Sequence, residues 1–285
     1  MNQQPAAVAV TPPRFTHVQN PSETLSQLSA GTPAVPVLEP WREPGLVAGF
    51  VGRKGGVSEG AFASMNLSDL IGDDPGAVAE NWRRLRASLA LNLTFARLVQ
   101  VHGIEVITVT RDNAVERPRA DAMVTREPGV ILGIFSADCV PVLLSAAHER
   151  ASGALHAGWR GVIGGIAAAG VAAMNSLGAP PASLRAALGP SIGPCCFEVD
   201  RELAERFVAE IPASLRYRRE GRPGKDYLDL RAIVRGQLIA AGVAPAAIET
   251  VGPCTRCAAD RYFSRRAAGG AVTGLQLSFT GFARR

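Results

Sequence analysis

Three short apolar runs, at 131–135, 140–144 and 151–156, follow one another with only polar breaks between them, and they restrict the fold more than any other feature of the chain. Runs of this length suit strands rather than helices. Further runs at 46–51, 98–101 and 106–109 read as strands as well. Elsewhere the pattern is helical. Asp74 followed by Pro75 starts a helix over 75–90, because an aspartate caps free N–H groups and proline suits the first helical position. Other helices are expected over 161–177, closed by Gly178, over 201–211, capped by Asp200, and over 230–241, capped by Asp229 and stopped by Gly242. The expected class is α+β. No internal repeat and no linker divides residues 36–285, which are expected to form one domain. Residues 1–35, rich in Pro, Ala, Gln, Ser and Thr without sustained periodicity, are expected to be a flexible tail.

Composition narrows the function classes. With 285 residues, 47% hydrophobic and 19% charged, the chain can bury a large core. No stretch approaches about 18 consecutive apolar residues, so a membrane-spanning helix is not expected. The first cation is Arg14, so Met1 to Val10 lacks the basic start of a secretory signal, and a cytoplasmic location is expected. The net charge of +5 comes from arginines spread along the chain, with Lys54 and Lys225 the only lysines. With aromatics at 6%, this is compositional bias rather than a nucleic-acid surface. Five cysteines, an odd number, point to thiols or metal ligands rather than a disulfide framework.

Of four histidines, two sit at strand ends in glycine-containing turns. His102 follows Leu98-Val99-Gln100-Val101 and precedes Gly103; His156 opens His156-Ala157-Gly158-Trp159-Arg160-Gly161 ahead of a helix. Between them lies the polar break Ala137-Asp138-Cys139-Val140-Pro141. Two imidazoles and a thiolate form a zinc set that leaves a fourth tetrahedral position for water or substrate. The same residues also suit hydrogen-bonded core histidines and a small buried cysteine. His148, in a hairpin turn, and His17, in the tail, are expected to play no catalytic part.

The blocks Gln100-Val101-His102-Gly103, Ala137-Asp138-Cys139-Val140-Pro141, His156-Ala157-Gly158-Trp159-Arg160-Gly161 and Gly189-Pro190-Ser191-Ile192-Gly193 resemble the YfiH family of purine nucleoside phosphorylases, formerly labelled multicopper polyphenol oxidases or laccase-domain proteins. Arg53-Lys54-Gly55-Gly56-Val57-Ser58, Met65-Asn66-Leu67, Gly72-Asp73-Asp74, Asn81, Asp121-Ala122 and Phe263-Ser264-Arg265-Arg266 extend the likeness over about residues 45–280. The resemblance implies a single α/β/β/α layered domain and one zinc on His102, Cys139 and His156. It implies phosphorolysis of adenosine, inosine and methylthioadenosine to the base and ribose 1-phosphate, with deamination of adenosine to inosine as a second activity.

Those reactions set requirements that can be placed on residues. Phosphorolysis needs a phosphate held beside C1′ of the ribose, so donors should converge there. Arg53 with the Gly55-Gly56 turn and Ser58 forms one candidate cradle, Asn66 is a further substrate or phosphate candidate, and Arg160 at a helix start is another, since helix N-termini favour anions. The alternative for 53–56 is a solvated turn. Deamination needs a polarised water at C6 of the purine, which an open metal position can supply. Asp138 beside Cys139 could accept a proton, orient a ligand or serve folding only. The expected catalytic residues are thus His102, Asp138, Cys139 and His156.

The oxidase label fails on counting, because a blue-copper centre with a trinuclear cluster needs roughly ten histidines, by resemblance to true laccases, and the chain has four. Copper on the single His, Cys, His set is expected to be adventitious. Pro253-Cys254-Thr255-Arg256-Cys257 matches half of a nucleobase-deaminase zinc motif, but the His-x-Glu half is missing, which leaves Cys254 and Cys257 as structural or free thiols. Cys195 and Cys196 either line the pocket rim or pack. The resembled family usually has Thr-Gly-Arg near the C-terminus where this chain has Thr273-Gly274-Leu275, so one cation is missing. Two competing readings are a cysteine hydrolase, with Cys139 as nucleophile acting on an amide or cell-wall precursor, and a metal-bound partner protein without turnover. A monomer is expected, since no heptad pattern is present.

Overall fold

A computed structural model describes residues 35–89 and 93–284. Residues 1–34 of the expected tail, with His17, lie outside the described residues, whereas its last residue, Val35, is fully buried in the core beside α1. Among the described residues are fourteen strands and five α-helices: β1 (Val37–Leu38), β2 (Leu46–Val51), α1 (Pro75–Leu89), β3 (Thr94–Ala96), β4 (Val106–Thr108), β5 (Ala122–Thr125), β6 (Val130–Ser136), β7 (Val140–Ala146), β8 (Ala151–Ala157), α2 (Trp159–Gly164), α3 (Ile166–Ser176), β9 (Arg185–Leu188), β10 (Glu198–Asp200), α4 (Arg201–Glu210), β11 (Arg218–Glu220), β12 (Lys225–Leu228), α5 (Leu230–Ala240), β13 (Ile248–Thr250) and β14 (Gln276–Phe282). None of these helices is long and apolar enough to cross a membrane.

Two large sheets lie face to face. One has the order β1-β2-β14-β6-β3 and the other β13-β9-β7-β8-β5-β4; a small third sheet, β10-β12-β11, sits at the side. Strand alternation explains the stacking. In β6, Val130, Leu132 and Ile134 face the second sheet and join Leu143, Ala154 and Ala187 in a middle core. The intervening Ile131 and Phe135 face the other way and pack with Trp82 and Leu85 of α1. The second sheet behaves likewise: Val140, Val142 and Leu144 of β7 and Leu155 of β8 meet Ile166, Val171 and Met174 of α3 and Val234 and Leu238 of α5. The layers run α1, five-stranded sheet, six-stranded sheet, then α2 to α5. Both sheets are covered on both faces, which is why their central strands are apolar throughout rather than alternating with polar residues.

Several sequence expectations need correction. Residues 98–101 are not a strand; β3 ends at Ala96, and Val99 makes only an isolated bridge to Arg119. The chain is leaving the first sheet there, and the Gln100 side chain takes over the edge of β6, donating to Phe135 O at 2.8 Å and accepting from Phe135 N at 2.8 Å. The helix expected over 161–177 begins earlier, at Trp159, and is two helices. Gly165 breaks it in the left-handed conformation, φ 89°, and the Val162 carbonyl left at the break accepts Gln237 Nε2 of α5 at 2.7 Å. Asp74 and Asp229 cap as expected, through Ala77 N and Ala232 N. Asp200 precedes α4 but makes no side-chain cap; its carboxylate binds Lys225 Nζ at 2.6 Å instead.

Candidate metal centre

His102, Cys139 and His156 converge, each offering one ligand atom within 4.8 Å of the others. They come from three kinds of place. His102 lies where the chain passes from the first sheet to the second, Cys139 lies in the turn from β6 to β7, and His156 is the penultimate residue of β8, paired across the ladder with Pro141. His102 and Asp138 both hold positive φ, 61° and 95°, a conformation uncommon outside glycine and found where turns are fixed by their surroundings.

Asp121, fully buried just before β5, does the fixing. Its Oδ1 accepts His102 N at 2.9 Å, and its Oδ2 accepts Val101 N at 3.1 Å and Gly103 N at 2.7 Å. Those three amides wrap the left-handed turn around the carboxylate. Oδ1 also receives His156 Nδ1 at 2.8 Å, which leaves His156 Nε2 as the free ring nitrogen. Burial alone would raise the Asp121 carboxyl, but the His156 hydrogen bond and the amides of Gly103 and Val101 outweigh it and hold the group below the usual carboxylate range. One buried anion therefore positions both histidines.

The electrostatics of the trio follow. Burial pushes the Cys139 thiol up, but the His156 charge and hydrogen bonds from both imidazoles outweigh it and bring the thiol down to about 6. Burial pulls His156 down, and the Cys139 thiolate and Asp121 reverse that and raise it to about 9. The donor set fits a thiophilic cation. Cys139 Sγ and His102 Nε2 are 4.0 Å apart, near the roughly 3.5 Å separation of ligands around tetrahedral zinc. The two rings stand edge to face with centroids 4.9 Å apart. Gly158 closes the site from behind: a Cβ there would lie 2.8 Å from His102 Cδ2 and 3.2 Å from Cys139 Sγ.

The remaining site candidates are placed differently. Asp138 Oδ1 accepts Thr255 Oγ1 at 2.6 Å and its Oδ2 accepts Arg266 N at 2.7 Å, so both oxygens tie down the segment 255–266. Arg160 is exposed on the first turn of α2, its guanidinium 4.3 Å from the Trp159 ring. Arg53 donates to Ala63 O at 2.8 and 2.5 Å and to Ala259 O at 2.7 Å, and lies over Phe263. Ser58 and Asn66 are buried and meet at Asp73 Oδ2, at 2.7 and 2.8 Å. Asn81 of α1 joins them, donating to Ser58 Oγ and to the carbonyls of Ser64 and Asn66. Where an arginine is missing, Leu275 packs partly buried and its N–H donates to Asn66 Oδ1 at 3.0 Å. His148 is exposed in the β7–β8 turn. Thr255 was not singled out as a site residue from the sequence, and Asp121 was quoted only within the block Asp121-Ala122; its place directly ahead of an apolar run is the local signal that marks it.

Residues 47–283 match the family model described as multi-copper polyphenol oxidoreductase laccase. Purine nucleoside phosphorylase YlmD of Geobacillus stearothermophilus is 39% identical over 249 residues, 83% of this chain and 90% of that one. Its crystal structure superposes with a TM-score of 0.81 over 91% of this chain and 99% of that chain, at 36% identity. A purine nucleoside phosphorylase of Deinococcus radiodurans is 41% identical over 256 residues, 89% of this chain and 95% of that one. An adenosine deaminase, RL5, from an unknown prokaryotic organism is 36% identical over 237 residues, 79% of this chain and 88% of that one.

Proposed function

Because the chain belongs to this family and is an enzyme of the kind its relatives are named for, we propose that it is a zinc-dependent purine nucleoside phosphorylase that also deaminates adenosine. The observation that carries the reading is the trio His102, Cys139 and His156 organised on one buried carboxylate. Phosphorolysis converts adenosine, inosine or methylthioadenosine and phosphate to the free base and ribose 1-phosphate; deamination converts adenosine and water to inosine and ammonia. His102, Cys139 and His156 would hold the zinc, which would supply a Lewis acid to the reaction. The protein's own groups do the rest. Asp121 holds His156 in one tautomer and His102 in its turn, so that neither ring needs to reorient when substrate arrives. Arg160, exposed and two residues beyond Gly158, is the cation we assign to phosphate.

Arg53, Ser58 and Asn66 we assign to shaping the wall beside the centre rather than to direct contact, since their polar atoms already serve internal partners. Asp138 we assign to positioning, because both oxygens hold the segment 255–266 and Asp138 adjoins Cys139 in sequence. Five free cysteines support action in the cytoplasm. Copper at the trio is adventitious in this reading.

One observation favours a second reading. His156 hydrogen-bonded to Asp121 at 2.8 Å, with Cys139 beside it, has the parts of a cysteine hydrolase: nucleophile, base and orienting acid. Chromatographic product analysis separates the two. With zinc-loaded protein and adenosine, adenine that forms only with phosphate and disappears in Cys139→Ala is the expected result. Absence of both adenine and inosine at full zinc loading overturns the proposal. Activity that survives metal removal and is abolished by thiol alkylation moves the hydrolase forward.

A further inference from the structure

A second group of sulfurs lies outside the centre just described. Cys195, Cys196, Cys254 and Cys257 bring their Sγ atoms within 4.8 Å of one another, with Cys257 Sγ 3.5 Å from both Cys195 Sγ and Cys196 Sγ. Topology explains the meeting. β9 and β13 are parallel neighbours at one edge of the six-stranded sheet, and the chain leaves both at the same end, with a parallel bridge between Ser191 and Cys254. One loop then carries the adjacent pair Cys195-Cys196, the other the Cys-x-x-Cys pair.

From this geometry we propose that the four cysteines bind one further divalent thiophilic cation of the zinc class, as a closed structural site separate from His102, Cys139 and His156. A tetrahedral tetrathiolate with metal–sulfur bonds of about 2.3 Å has sulfur–sulfur edges of roughly 3.8 Å, and the observed spacing needs only small adjustments to reach it. An iron–sulfur cluster would set several atoms between the cysteines and spread them farther.

Two of the sulfurs, on Cys254 and Cys196, have hydrogen-bond donors aimed at them. Cys254 Sγ accepts Gly193 N at 3.2 Å and also a backbone bond from Cys257, the turn that a Cys-x-x-Cys ligand pair makes around a metal. Gly193 is needed for that approach, since a Cβ there would stand 3.1 Å from Cys254 Cβ and 3.4 Å from Cys195 Sγ. Arg256 Nη1 reaches Cys196 Sγ at 3.6 Å, and Arg231 Nη2 lies 3.6 Å from the same Gly193 position. Four thiolates around a divalent cation carry a net charge of about −2, and these two guanidinium groups offset it. Binding releases the thiol protons and leaves no open coordination position, so the site carries no chemistry of its own.

Its mechanical role follows from Thr255, which lies inside the Cys-x-x-Cys loop. Thr255 is fully buried, takes Ser191 O through its N–H at 3.0 Å and gives its hydroxyl to Asp138 next to Cys139. A cation joining the two loops thus holds the wall on which Asp138 rests.

Metal content of the zinc-reconstituted protein, measured by native mass spectrometry and elemental analysis, tests this. Two zinc ions per chain are expected, falling to one in Cys139→Ala and to one in Cys257→Ser, whose side chain is exposed. Cobalt(II) substitution gives a readout independent of activity: sulfur-to-cobalt charge-transfer absorption of four-thiolate intensity should persist in Cys139→Ala, and in Cys257→Ser it should fall to the weaker band of the single Cys139 thiolate. In the wild type, Cys195, Cys254 and Cys257 should resist alkylation until a chelator is added, a result that does not depend on any variant folding. One zinc per chain, lost in Cys139→Ala and unchanged in Cys257→Ser, overturns the proposal, as does a disulfide among the four in protein purified with zinc. Because phosphorolysis is measured separately, two bound metals without product would refute the activity and leave this site standing.

Discussion

Replacing Asp121 by asparagine changes one oxygen for an NH2 group and little else in volume, so its effect isolates the carboxylate. The native group accepts four hydrogen bonds, two at each oxygen, at 2.7 to 3.1 Å, and all four partners are donors. Asparagine can serve the two donors on one side; on the other, its NH2 faces either Val101 N and Gly103 N, or His102 N and His156 Nδ1. Two bonds to a charged acceptor are therefore lost and two buried donors are left facing a third. At about 1.5–3 kcal/mol for each such bond, and with a buried ion partner removed, the fold should lose about 3–5 kcal/mol. For a domain of this size that corresponds to a fall in Tm of roughly 6–20 °C. Zinc affinity should fall about 10- to 100-fold, because neither histidine is held in its ligating orientation. Thermal unfolding of metal-free protein and chelator competition measure the two effects separately. If Asp121→Asn keeps zinc affinity within twofold and Tm within 2 °C, by the same scale, the claim that this carboxylate organises the centre is wrong.

Gly158→Ala should weaken zinc binding about 5- to 150-fold, from the roughly 1–3 kcal/mol of overpacking against His102 and Cys139, while circular dichroism stays unchanged; equal affinity by competition titration would show that the site has room to spare. Metal-free protein should be alkylated at Cys139 with an apparent pKa of about 6, since acidifying through that value protonates the thiolate, and saturating zinc should suppress the reaction; a midpoint near the ordinary 8.5 or so would remove the imidazole effect. Asn81→Ala strips a fully buried side chain of hydrogen bonds to Val57 N, Ser58 Oγ, Ser64 O and Asn66 O, and should cost about 2–4 kcal/mol by denaturant unfolding, with zinc stoichiometry intact.

Much of the architecture could be read from residues that act through their neighbours in sequence. The run 130–136 and its two successors announce central strands because burial on both faces demands apolar residues throughout. Asp74 and Asp229 cap helices three residues away and needed no other part of the fold. Residues whose partners are distant misled or were silent. Asp200 has the same local signature but finds Lys225 across a strand pair. The break at Gly165 had only the Gly164-Gly165 pair to mark it, ahead of an alanine-rich stretch that is a good helix former. The centre shows the same division. Two histidines and a cysteine at strand ends were visible as chemistry, whereas Asp121 gains its meaning only when residues 101–103 and 156 fold onto it. Likewise nothing local announces the internal hydrogen bonds that Arg53, Ser58 and Asn66 make.

Although β6 and β7 are consecutive in the chain, they belong to opposite sheets, so the turn holding Cys139 is a stitch across the sandwich; the passage holding His102 is another. A centre sewn along that seam measures the gap between the two sheets. Any shear or widening of the middle layer changes the separation of ligands that no single strand could hold together. A trimmed side chain at Ile134 or Leu143, buried between the sheets, would thus reach the reaction as a change in coordination geometry, and a metal held there would in turn clamp the two halves of the fold at one end.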